Sequence, residues 1–509
     1  MKNVFKNLLE NEKKEIAPTG QSGDNNRRDF LKKAGLGVGG VSLAGMMDAR
    51  IEDTVAMATQ NVRRSSAPSE LRITDMRYAV VRHMGRGPII RIDTNQGICG
   101  WGEVRDGGDE RYALMLKSRL LGKNPCDVEM LLKEVRQFGF HGRQGGGFSA
   151  VDMALWDLCG KAFNVPAYQL LGGKYRSHVR LYADTANPRR PDWKERMKEL
   201  IEVKGFTMLK FDFGLENIND RDKGVVNHKF WSNNNDPRTQ YARSGNWGQY
   251  NTGTHNYMGY GRVQHPLTGV QVTEKGLDEI EAVVAAMREF VGPEIPMGGD
   301  HFGHFDINNH IRLGKRLDKY RLAWLEDTIP WWHIDELRMI KEAIETPICT
   351  GEDIFGLRGP GQGGFSSFGF KELIDARCVD VIHPDPGTSG GCLETKRIGD
   401  YAEHAGILMA LHMAGTPICY SASVHLAAAT ENFYGMEHHS VWLPWWESMA
   451  TPTGTNKLID GGFAPVPDGP GLGIEPNLEV IKENLLPNTT FFAPTPEWDD
   501  IRSHDRLWS

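Results

Sequence analysis

The sequence predicts an α/β protein: a (β/α) barrel preceded by a separate α+β domain. Three acids carry this prediction, since Asp300, Glu326 and Glu352 each close a short apolar run and follow one another at equal intervals. Short apolar runs are typical of buried strands, and helical stretches separate these three. Strand and helix alternating in this way indicate consecutive units of a barrel. Because the carboxyl ends of barrel strands share one face, we expect the three carboxylates to converge there.

The three acids also predict a metal site. Carboxylates held close together repel one another unless a cation lies between them, and ligation by oxygen alone suits Mg²⁺. The alternative is three unrelated surface acids at loop starts, but their equal spacing at the ends of apolar strands favours the metal. We therefore expect one Mg²⁺ per subunit, bound by Asp300, Glu326 and Glu352.

Residues 1–58 are typical of an export signal. The pair Arg27–Arg28 is followed by Phe30, Leu31 and Lys32, then by a weakly apolar stretch rich in Gly and Ala. An Ala-Met-Ala sequence then offers small residues at a cleavable spacing. The pattern resembles a bacterial twin-arginine signal, which exports folded protein. We expect a periplasmic protein and leave this segment out of the fold prediction.

Residues 70–178 predict the α+β domain. The alternating strands ITDMRYAVVRH and GPIIRIDT precede a turn and the strand ICGWGEV. Helical segments follow, and the last of them, FSAVDMALWDLCGKAF, has apolar residues near helical spacing. We interpret Glu103, Asp152 and Asp157 in this domain as structural.

Eight apolar runs supply the strands of a barrel predicted over residues 179–440. In chain order they are HVRLYADT, FTMLKFDFG, IPMGGDHF, LAWLEDT, PICTGED, CVDVIHPD, ILMALHMA and NFYGMEHH. The second run is followed by a long insertion, 215–272, rich in Asn, Gly, Tyr and Trp. Loops of this length are usually functional or disordered. The aromatic content favours a lid over the catalytic face or an oligomer contact.

Composition and charge exclude several classes of protein. The 509 residues are 40% hydrophobic and 25% charged, as in ordinary globular proteins, and they suffice for a barrel and a second domain. The formal net charge of −7 argues against a nucleic-acid or anionic-membrane partner. No apolar stretch beyond the signal is long enough to be a transmembrane segment. Seven scattered Cys without a CxxC pair predict buried apolar residues and not a disulfide framework.

Several motifs match one known family in the correct order. They include GGGFSAVDMALWDLCGKAFNVPAYQLLGG before the barrel, Asp385 in VIHPDPGTSGG, His412 in ALHMAGTP, Glu437 in YGMEHH and the tail PVPDGPGLGIEPN. Together with the three spaced acids they resemble the enolase superfamily, in its mandelate racemase/muconate lactonizing enzyme-like branch. The resemblance implies a TIM-like barrel of the enolase-superfamily type. It also implies that segment 441–509 returns to and completes the N-terminal capping domain.

The resemblance implies chemistry as well. Members bind a carboxylate substrate on Mg²⁺, remove the proton alpha to the carboxylate and stabilise the resulting enediolate. His412 would be the general base, and Asp385 would orient its imidazole and raise its basicity. Glu437 would donate a hydrogen bond to the substrate carboxylate if it is protonated. A salt bridge between Glu437 and a neighbouring base is the structural alternative.

Lys210 and Asp212 depart from the Lys-x-Lys sequence usual in the racemase branch. The Lys-x-Asp form resembles galactonate-type sugar-acid dehydratases. Lys210 would neutralise charge on the substrate carboxylate or the enediolate, and Asp212 would bind a substrate hydroxyl or pair with Lys210. Since racemisation needs a base on each face, we predict an acid-sugar dehydratase acting on an aldonate or uronate. An epimerase, racemase or cycloisomerase is the alternative enzyme, and a non-catalytic sugar-acid binding protein is the alternative of another class.

Dehydration also requires an acid that protonates the departing β-hydroxyl. In the galactonate enzymes a His stands two positions after the first metal acid, and here Phe302 occupies that position. His304 is the better candidate for the acid and His301 the second. If neither serves, His412 would perform both steps on one face, giving syn elimination.

Other polar residues are weaker candidates for substrate contact. Capping-domain loops close over the barrel mouth in this family. Four such residues lie in predicted turns of the capping domain: His83, Arg86, His141 and Arg143. Two more lie at the eighth strand: His438 and His439. We expect a small-molecule carboxylate partner, no nucleic acid, and a homo-oligomer.

Overall fold

The computed structural model describes residues 67–185, 190–231, 271–300, 305–359 and 368–500. The predicted export signal, the candidate acids His301 and His304, and most of the predicted insertion 215–272 lie outside the described residues. Within the described part of the chain, no helix is long and apolar enough to cross a membrane.

A closed barrel of eight parallel strands forms the larger part of the fold. In chain order its strands are β4 (His178–Asp184), β5 (Leu209–Asp212), β6 (Met297–Asp300), β7 (Trp324–Glu326), β8 (Ile348–Thr350), β9 (Val381–Ile382), β10 (Leu408–Leu411) and β11 (Phe433–His438). Each strand pairs with the next, and β11 pairs with β4, with Glu437 opposite Tyr182. The prediction of a (β/α) barrel is confirmed, and all eight predicted runs are strands.

Helices connect successive strands of the barrel. Those described are α6 (Trp193–Lys198), α7 (Arg221–Gly224), α8 (His228–Trp231), α9 (Glu274–Val291), α10 (Ile307–Leu317), α11 (Ile334–Ala343), α12 (Phe370–Ala376), α13 (Gly391–His404) and α14 (Pro417–Ala429). In α9, Leu277, Ile280, Val284 and Met287 are buried at helical spacing. The side chain of Thr273 caps this helix by accepting a hydrogen bond from the backbone of Gly276.

The N-terminal domain packs one antiparallel sheet against a buried helix. Its strands are β1 (Ile73–Val81), β2 (Gly87–Thr94) and β3 (Cys99–Glu103). Its helices are α1 (Arg111–Leu114), α2 (Lys117–Leu120), α3 (Val128–Val135), α4 (Gly145–Phe163) and α5 (Ala167–Leu170). Helix α4 lies so close to β3 that a Cβ at Gly102 would overlap the carbonyl oxygen of Ala150, so only glycine fits there.

The C-terminal segment runs back along both parts of the fold. It contains β12 (Ala450–Pro452), β13 (Phe463–Pro465), β14 (Ile474–Pro476) and α15 (Leu478–Glu483). Strand β13 pairs antiparallel with β4 of the barrel. Further on, Leu486 N donates to Val80 O at 2.7 Å and Phe492 N donates to Tyr78 O at 2.8 Å. The tail therefore bonds to the edge of β1 in the N-terminal sheet.

Apolar and aromatic side chains fill the interior of the barrel, as a packed barrel core requires. One buried cluster combines residues in or next to six of the strands: Tyr182, Met208, Trp324, Cys349, Val381 and Ala410. This packed apolar layer fills the barrel interior. Polar residues follow it in the sequence of the strands, so they lie at the carboxyl ends of the strands.

Candidate active site

Lys210 lies at the centre of a buried ionic cluster at the carboxyl ends of the barrel strands. Its Nζ is 2.8 Å from Asp300 Oδ2, 3.3 Å from Glu326 Oε1 and 2.9 Å from Glu437 Oε1. Burial alone would lower the pKa of Lys210, but the charges of these three acids raise it well above its usual range. Lys210 is therefore held as a cation. Glu437 forms the salt bridge that the sequence left as its structural alternative.

Groups in the barrel core contact both carboxylate oxygens of Glu326. Trp324 Nε1 donates to Glu326 Oε2 at 2.9 Å, and His383 Nδ1 lies 3.0 Å from Oε1. The other ring nitrogen of His383 lies 2.6 Å from the hydroxyl of Tyr182. These partners fix the Glu326 carboxylate, since both of its oxygens are engaged inside the barrel.

His412 and Asp385 form a close pair, as the resemblance implied. His412 Nδ1 lies 2.6 Å from Asp385 Oδ2, which leaves Nε2 facing Glu352 Oε2 at 3.3 Å and Glu437 Oε2 at 3.8 Å. Burial would lower the pKa of His412, but the charges of Glu352 and Glu437 and the bond to Asp385 raise it to about 10. The imidazole is thus oriented by one carboxylate and directed toward the site by its other nitrogen.

Arg105 reaches the site from the N-terminal domain and was not predicted from the sequence. Its Nη2 donates to Glu352 Oε1 at 2.9 Å, and its Nη1 donates to Asp353 Oδ1 at 2.8 Å. Its Nε lies 3.3 Å from Asp385 Oδ2, and only 1% of the side chain is exposed. No local signal separates Arg105 from other arginines of the domain, because its partners stand about 250 positions away in the chain.

Asp327 is a further buried acid that the sequence analysis missed. It adopts a left-handed backbone conformation with φ 49° and accepts a hydrogen bond from Thr350 Oγ1 at 2.5 Å. Burial raises the pKa of its carboxyl well above the usual range, and the charges of Glu352, Glu326 and Asp300 raise it further. Each of the three predicted metal acids therefore acts on the Asp327 carboxyl. Asp327 follows Glu326 directly in the sequence, so it also lies at the end of an apolar strand.

A second pair of His and Asp lies where the first and last barrel strands meet. Asp184, the last residue of β4, lies with its Oδ2 2.9 Å from Nε2 of His439, just past β11. From the sequence, His439 is only a weak candidate and Asp184 is not a candidate. Asp184 nevertheless ends an apolar strand, as Asp300 does, so the signal that identified the metal acids was present.

The donor set suits a hard divalent cation by its chemistry. Asp300, Glu326 and Glu352 offer carboxylate oxygens on consecutive strands, with no competing thiolate among the three. In the described part of the chain, two groups of acid, Cys and His have all ligand atoms within 4.8 Å of one another: Glu326, Cys349 and His383, and Asp184, Glu437 and His439. The predicted three acids are not such a group here, because Lys210 holds two of them and Arg105 with His412 holds the third.

The remaining predicted contact residues lie around these clusters. His83 is fully buried, with Nε2 2.7 Å from Ser440 Oγ, and Arg86 donates to Glu110. His141 Nδ1 accepts from Phe355 N at 3.0 Å. Arg143 lies 3.4 Å from both Asp106 and Asp353, close to the partners of Arg105. Asp212 is half-buried, opposite Asp300 in the strand ladder. Their roles toward substrate stay predictions.

Two of the acids interpreted as structural bind the N-terminal domain to other parts of the chain, Glu103 to the barrel and Asp157 to the C-terminal segment. Glu103 accepts hydrogen bonds from the backbone N–H groups of Thr416 (2.8 Å) and Cys419 (3.1 Å). Asp157 accepts from Leu472 N at 2.9 Å. The contacts of Glu103 and Arg105 place the N-terminal domain against the carboxyl ends of the barrel strands. Fold and site together define a barrel enzyme in which a capping domain contributes to the active site.

Comparison with known families identifies the chain. Residues 192–480 match the enolase C-terminal domain-like family, and residues 55–172 match the N-terminal domain of the mandelate racemase/muconate lactonizing enzymes. The chain belongs to the enolase superfamily, in the branch that the sequence motifs resemble. Members of this superfamily typically bind Mg²⁺.

Individual relatives are similar over most of the chain. The D-xylonate dehydratase of Haloferax volcanii is 29% identical over 431 residues, which cover 82% of this chain and 90% of that protein. The D-gluconate dehydratase of Thermoproteus tenax is 26% identical, covering 81% and 72%. A mandelate racemase/muconate lactonizing enzyme-like crystal structure from Rubrobacter xylanophilus superposes with a TM-score of 0.67 at 28% identity, covering 84% of this chain and all of that one.

Proposed function

We propose that the protein is a sugar-acid dehydratase. It would remove the proton alpha to a carboxylate and eliminate the β-hydroxyl, leaving an enol that becomes a 2-keto acid. The names of its relatives support this reaction class, since they include D-xylonate, D-galactonate and D-gluconate dehydratases. The reaction requires one base, one acid for the leaving hydroxyl, and positive charge near the enediolate.

The state of Lys210 carries the proposal. Three carboxylates within 3.3 Å hold it as a cation, so it does not act as a base from its strand. The position where the racemase branch keeps a second Lys is Asp212. Lys210 therefore supplies positive charge at the place where an enediolate would form, and His412 is the group oriented to take the alpha proton.

His412 accepts that proton only when its ring is neutral. The charges of Glu352 and Glu437 contribute to the raised pKa of His412. A cation bound to Glu352 would offset the Glu352 charge and so would lower the pKa of His412 toward the neutral range. Asp385 keeps Nδ1 engaged, so the proton arrives at Nε2, the nitrogen that faces the site. Glu437, between Lys210 and His412, would help to place the substrate carboxylate.

We propose that Asp300, Glu326 and Glu352 bind one Mg²⁺ per subunit. When bound, the ion would supply the positive charge that stabilises the second negative charge of the enediolate. The position of the three acids at the carboxyl ends of consecutive strands, with Asp300 and Glu326 both within 3.3 Å of Lys210 Nζ, supports this site. In calorimetric titrations with Mg²⁺, we expect Asp300→Asn, Glu326→Gln and Glu352→Gln each to abolish binding that the wild type shows. Retained affinity in all three variants would contradict the assignment.

A substrate screen tests the reaction itself. Purified protein with Mg²⁺ is incubated with a set of aldonates and uronates, and 2-keto acid is measured as its semicarbazone. We expect keto acid from at least one of them. Inversion of the alpha carbon without release of keto acid would instead identify an epimerase, and tight binding without either reaction would identify a binding protein.

We also propose that the chain is exported to the periplasm and forms a homo-oligomer. The twin-arginine pattern supports export, and the family match begins only at residue 55. Cell fractionation should find the wild type in the periplasm and the double variant Arg27→Lys, Arg28→Lys in the cytoplasm. Light scattering of the purified protein should give a mass of two or more chains; a monomer would contradict the second proposal.

A further inference from the structure

The pair Asp184–His439 resembles the pair Asp385–His412 in its construction. In each, a carboxylate at the end of a barrel strand holds one nitrogen of an imidazole that follows another strand. The distances are 2.9 Å for Asp184 Oδ2 to His439 Nε2 and 2.6 Å for Asp385 Oδ2 to His412 Nδ1. The pair Asp184–His439 lies at the junction of β4 and β11. The chemistry proposed above assigns it no role.

Glu437 lies between the two pairs. Its Oε2 is 3.8 Å from His412 Nε2, and its carboxylate lies within 4.8 Å of ligand atoms of Asp184 and His439. Two oriented imidazoles therefore flank one carboxylate at the strand ends. A substrate whose carboxylate or enediolate lies near Lys210 and Glu437 would have an imidazole on either flank.

The two imidazoles differ in exposure. The side chain of His439 is 31% exposed and that of His412 only 8%, so His439 stands at the open side of the site. Burial would lower the pKa of His439, but the charge of Asp184 and its hydrogen bond, followed by the charge of Glu437, raise it to about 9. At neutral pH the ring carries two protons, one of them on the nitrogen that Asp184 does not engage.

We propose that His439 is a catalytic residue that donates the proton to the departing β-hydroxyl, with Asp184 as its positioning residue. This inference rests on the dehydratase function proposed above and deepens it. It assigns the acid to the eighth strand, whereas the sequence prediction assigned it to His304 or His301 after the third.

His412 takes the alpha proton, and the C–H electron pair enters the enediolate. That pair then forms the Cα–Cβ double bond while the Cβ–O bond breaks and the leaving oxygen takes the Nδ1 proton of His439. Water leaves and His439 becomes neutral. The enol tautomerises to the 2-keto acid, and exchange with solvent restores both imidazoles.

The test compares two leaving groups. A hydroxyl needs a proton to leave, whereas fluoride leaves without one. His439→Asn is assayed on the aldonate that the wild type dehydrates and on its 3-deoxy-3-fluoro analogue, with keto acid and fluoride as readouts. We expect a loss of ~10²–10⁴-fold on the hydroxy substrate, the usual size of general acid catalysis. We expect rates within a few-fold of wild type on the fluoro analogue.

Two further variants sharpen the comparison. Asp184→Asn should show the same selective loss in weaker form, since it disturbs only the orientation and charge of His439. His404→Asn, on a surface helix with a side chain 82% exposed, is the matched histidine control and should behave as wild type on both substrates.

Alpha-proton exchange in D₂O separates the possible failures. His439→Asn should keep exchange, because His412 performs that step. Equal loss on both leaving groups, loss of exchange, or no loss at all would each overturn the assignment, and the selective pattern in His304→Asn or His301→Asn would place the acid after the third strand instead. Failure of the proposed function itself is distinct: the wild type would then form no keto acid from any sugar acid.

Discussion

Arg105 Nη2 donates a hydrogen bond to Glu352 Oε1 at 2.9 Å, so an arginine of the capping domain holds a carboxylate of the barrel site. The same guanidinium donates to the backbone oxygen of Glu352 at 2.6 Å and lies 3.3 Å from Asp385, the partner of His412. One side chain thus contacts a proposed metal acid and the orienting acid of the proposed base. The capping domain is therefore part of the catalytic geometry as well as a cover for it.

Arg105→Lys should impair the site while keeping the charge. Lysine cannot reproduce the planar fork that engages several acceptors at once. We expect a loss of about 10–100-fold in kcat or in Mg²⁺ affinity, the usual effect of removing a group that orients a metal ligand. Steady-state kinetics and calorimetry measure both. Arg91→Lys, in a partly buried pair with Asp93 of the N-terminal sheet, is the control. Equal behaviour of the two variants would show that Arg105 does not position the site.

Gly391→Ala should destabilise the fold at the start of α13. Gly391 has φ +78°, and a Cβ there would overlap the carboxylate of Asp152, which accepts a hydrogen bond from Cys392 N. Gly97→Ala is the matched control, since Gly97 has φ +79° and no neighbour within 4 Å of an added Cβ. The control measures the backbone strain alone, about 1 kcal/mol. Thermal unfolding should show a clearly larger fall in Tm for Gly391→Ala; equal falls would contradict the overlap.

The barrel and its central acids were accessible from the sequence because they rest on local regularities. An apolar run followed by an acid identifies a strand end, and strands in order around a barrel bring successive ends together. Asp300, Glu326, Asp385 and His412 were found in this way or through motifs at the same ends. Their expected positions agree with the strand ends of the structure.

Arg105 and His383 were missed because their contacts follow no local sequence pattern. Arg105 meets Glu352 across nearly 250 positions, and His383 meets Tyr182 across 201. The pair Asp184–His439 forms only because β11 pairs with β4 and closes the barrel. Barrel closure joins the first strand to the last, so the chain distance between these partners is nearly the whole length of the domain.

His425→Gln should reduce the acid sensitivity of the fold. Burial lowers the pKa of His425 from 6.5 to about 4, so the unfolded chain binds more protons than the folded chain between these values. Stability contributed by the neutral ring is complete above pH 6.5 and is lost as the pH falls toward 4. The slope for one such group is at most about 1.4 kcal/mol per pH unit.

Chemical unfolding at several pH values between 4 and 7 measures this effect. The wild-type free energy of unfolding should fall more steeply with acid than that of His425→Gln, whose side chain still offers an acceptor to Tyr168 N. His404→Asn, with its exposed side chain, should keep the wild-type slope. If His425→Gln also keeps it, the buried ring is not a source of the acid sensitivity.

The central claim is that His412 takes the alpha proton of a sugar acid and that this proton loss leads to dehydration. His412→Asn tests it most directly when exchange at the alpha carbon in D₂O and 2-keto acid formation are followed in the same sample. We predict that both fall together, by ~10²–10⁴-fold or more, as expected for removal of the base. Keto acid formation that persists without alpha exchange, or exchange that persists in the variant, would contradict the account.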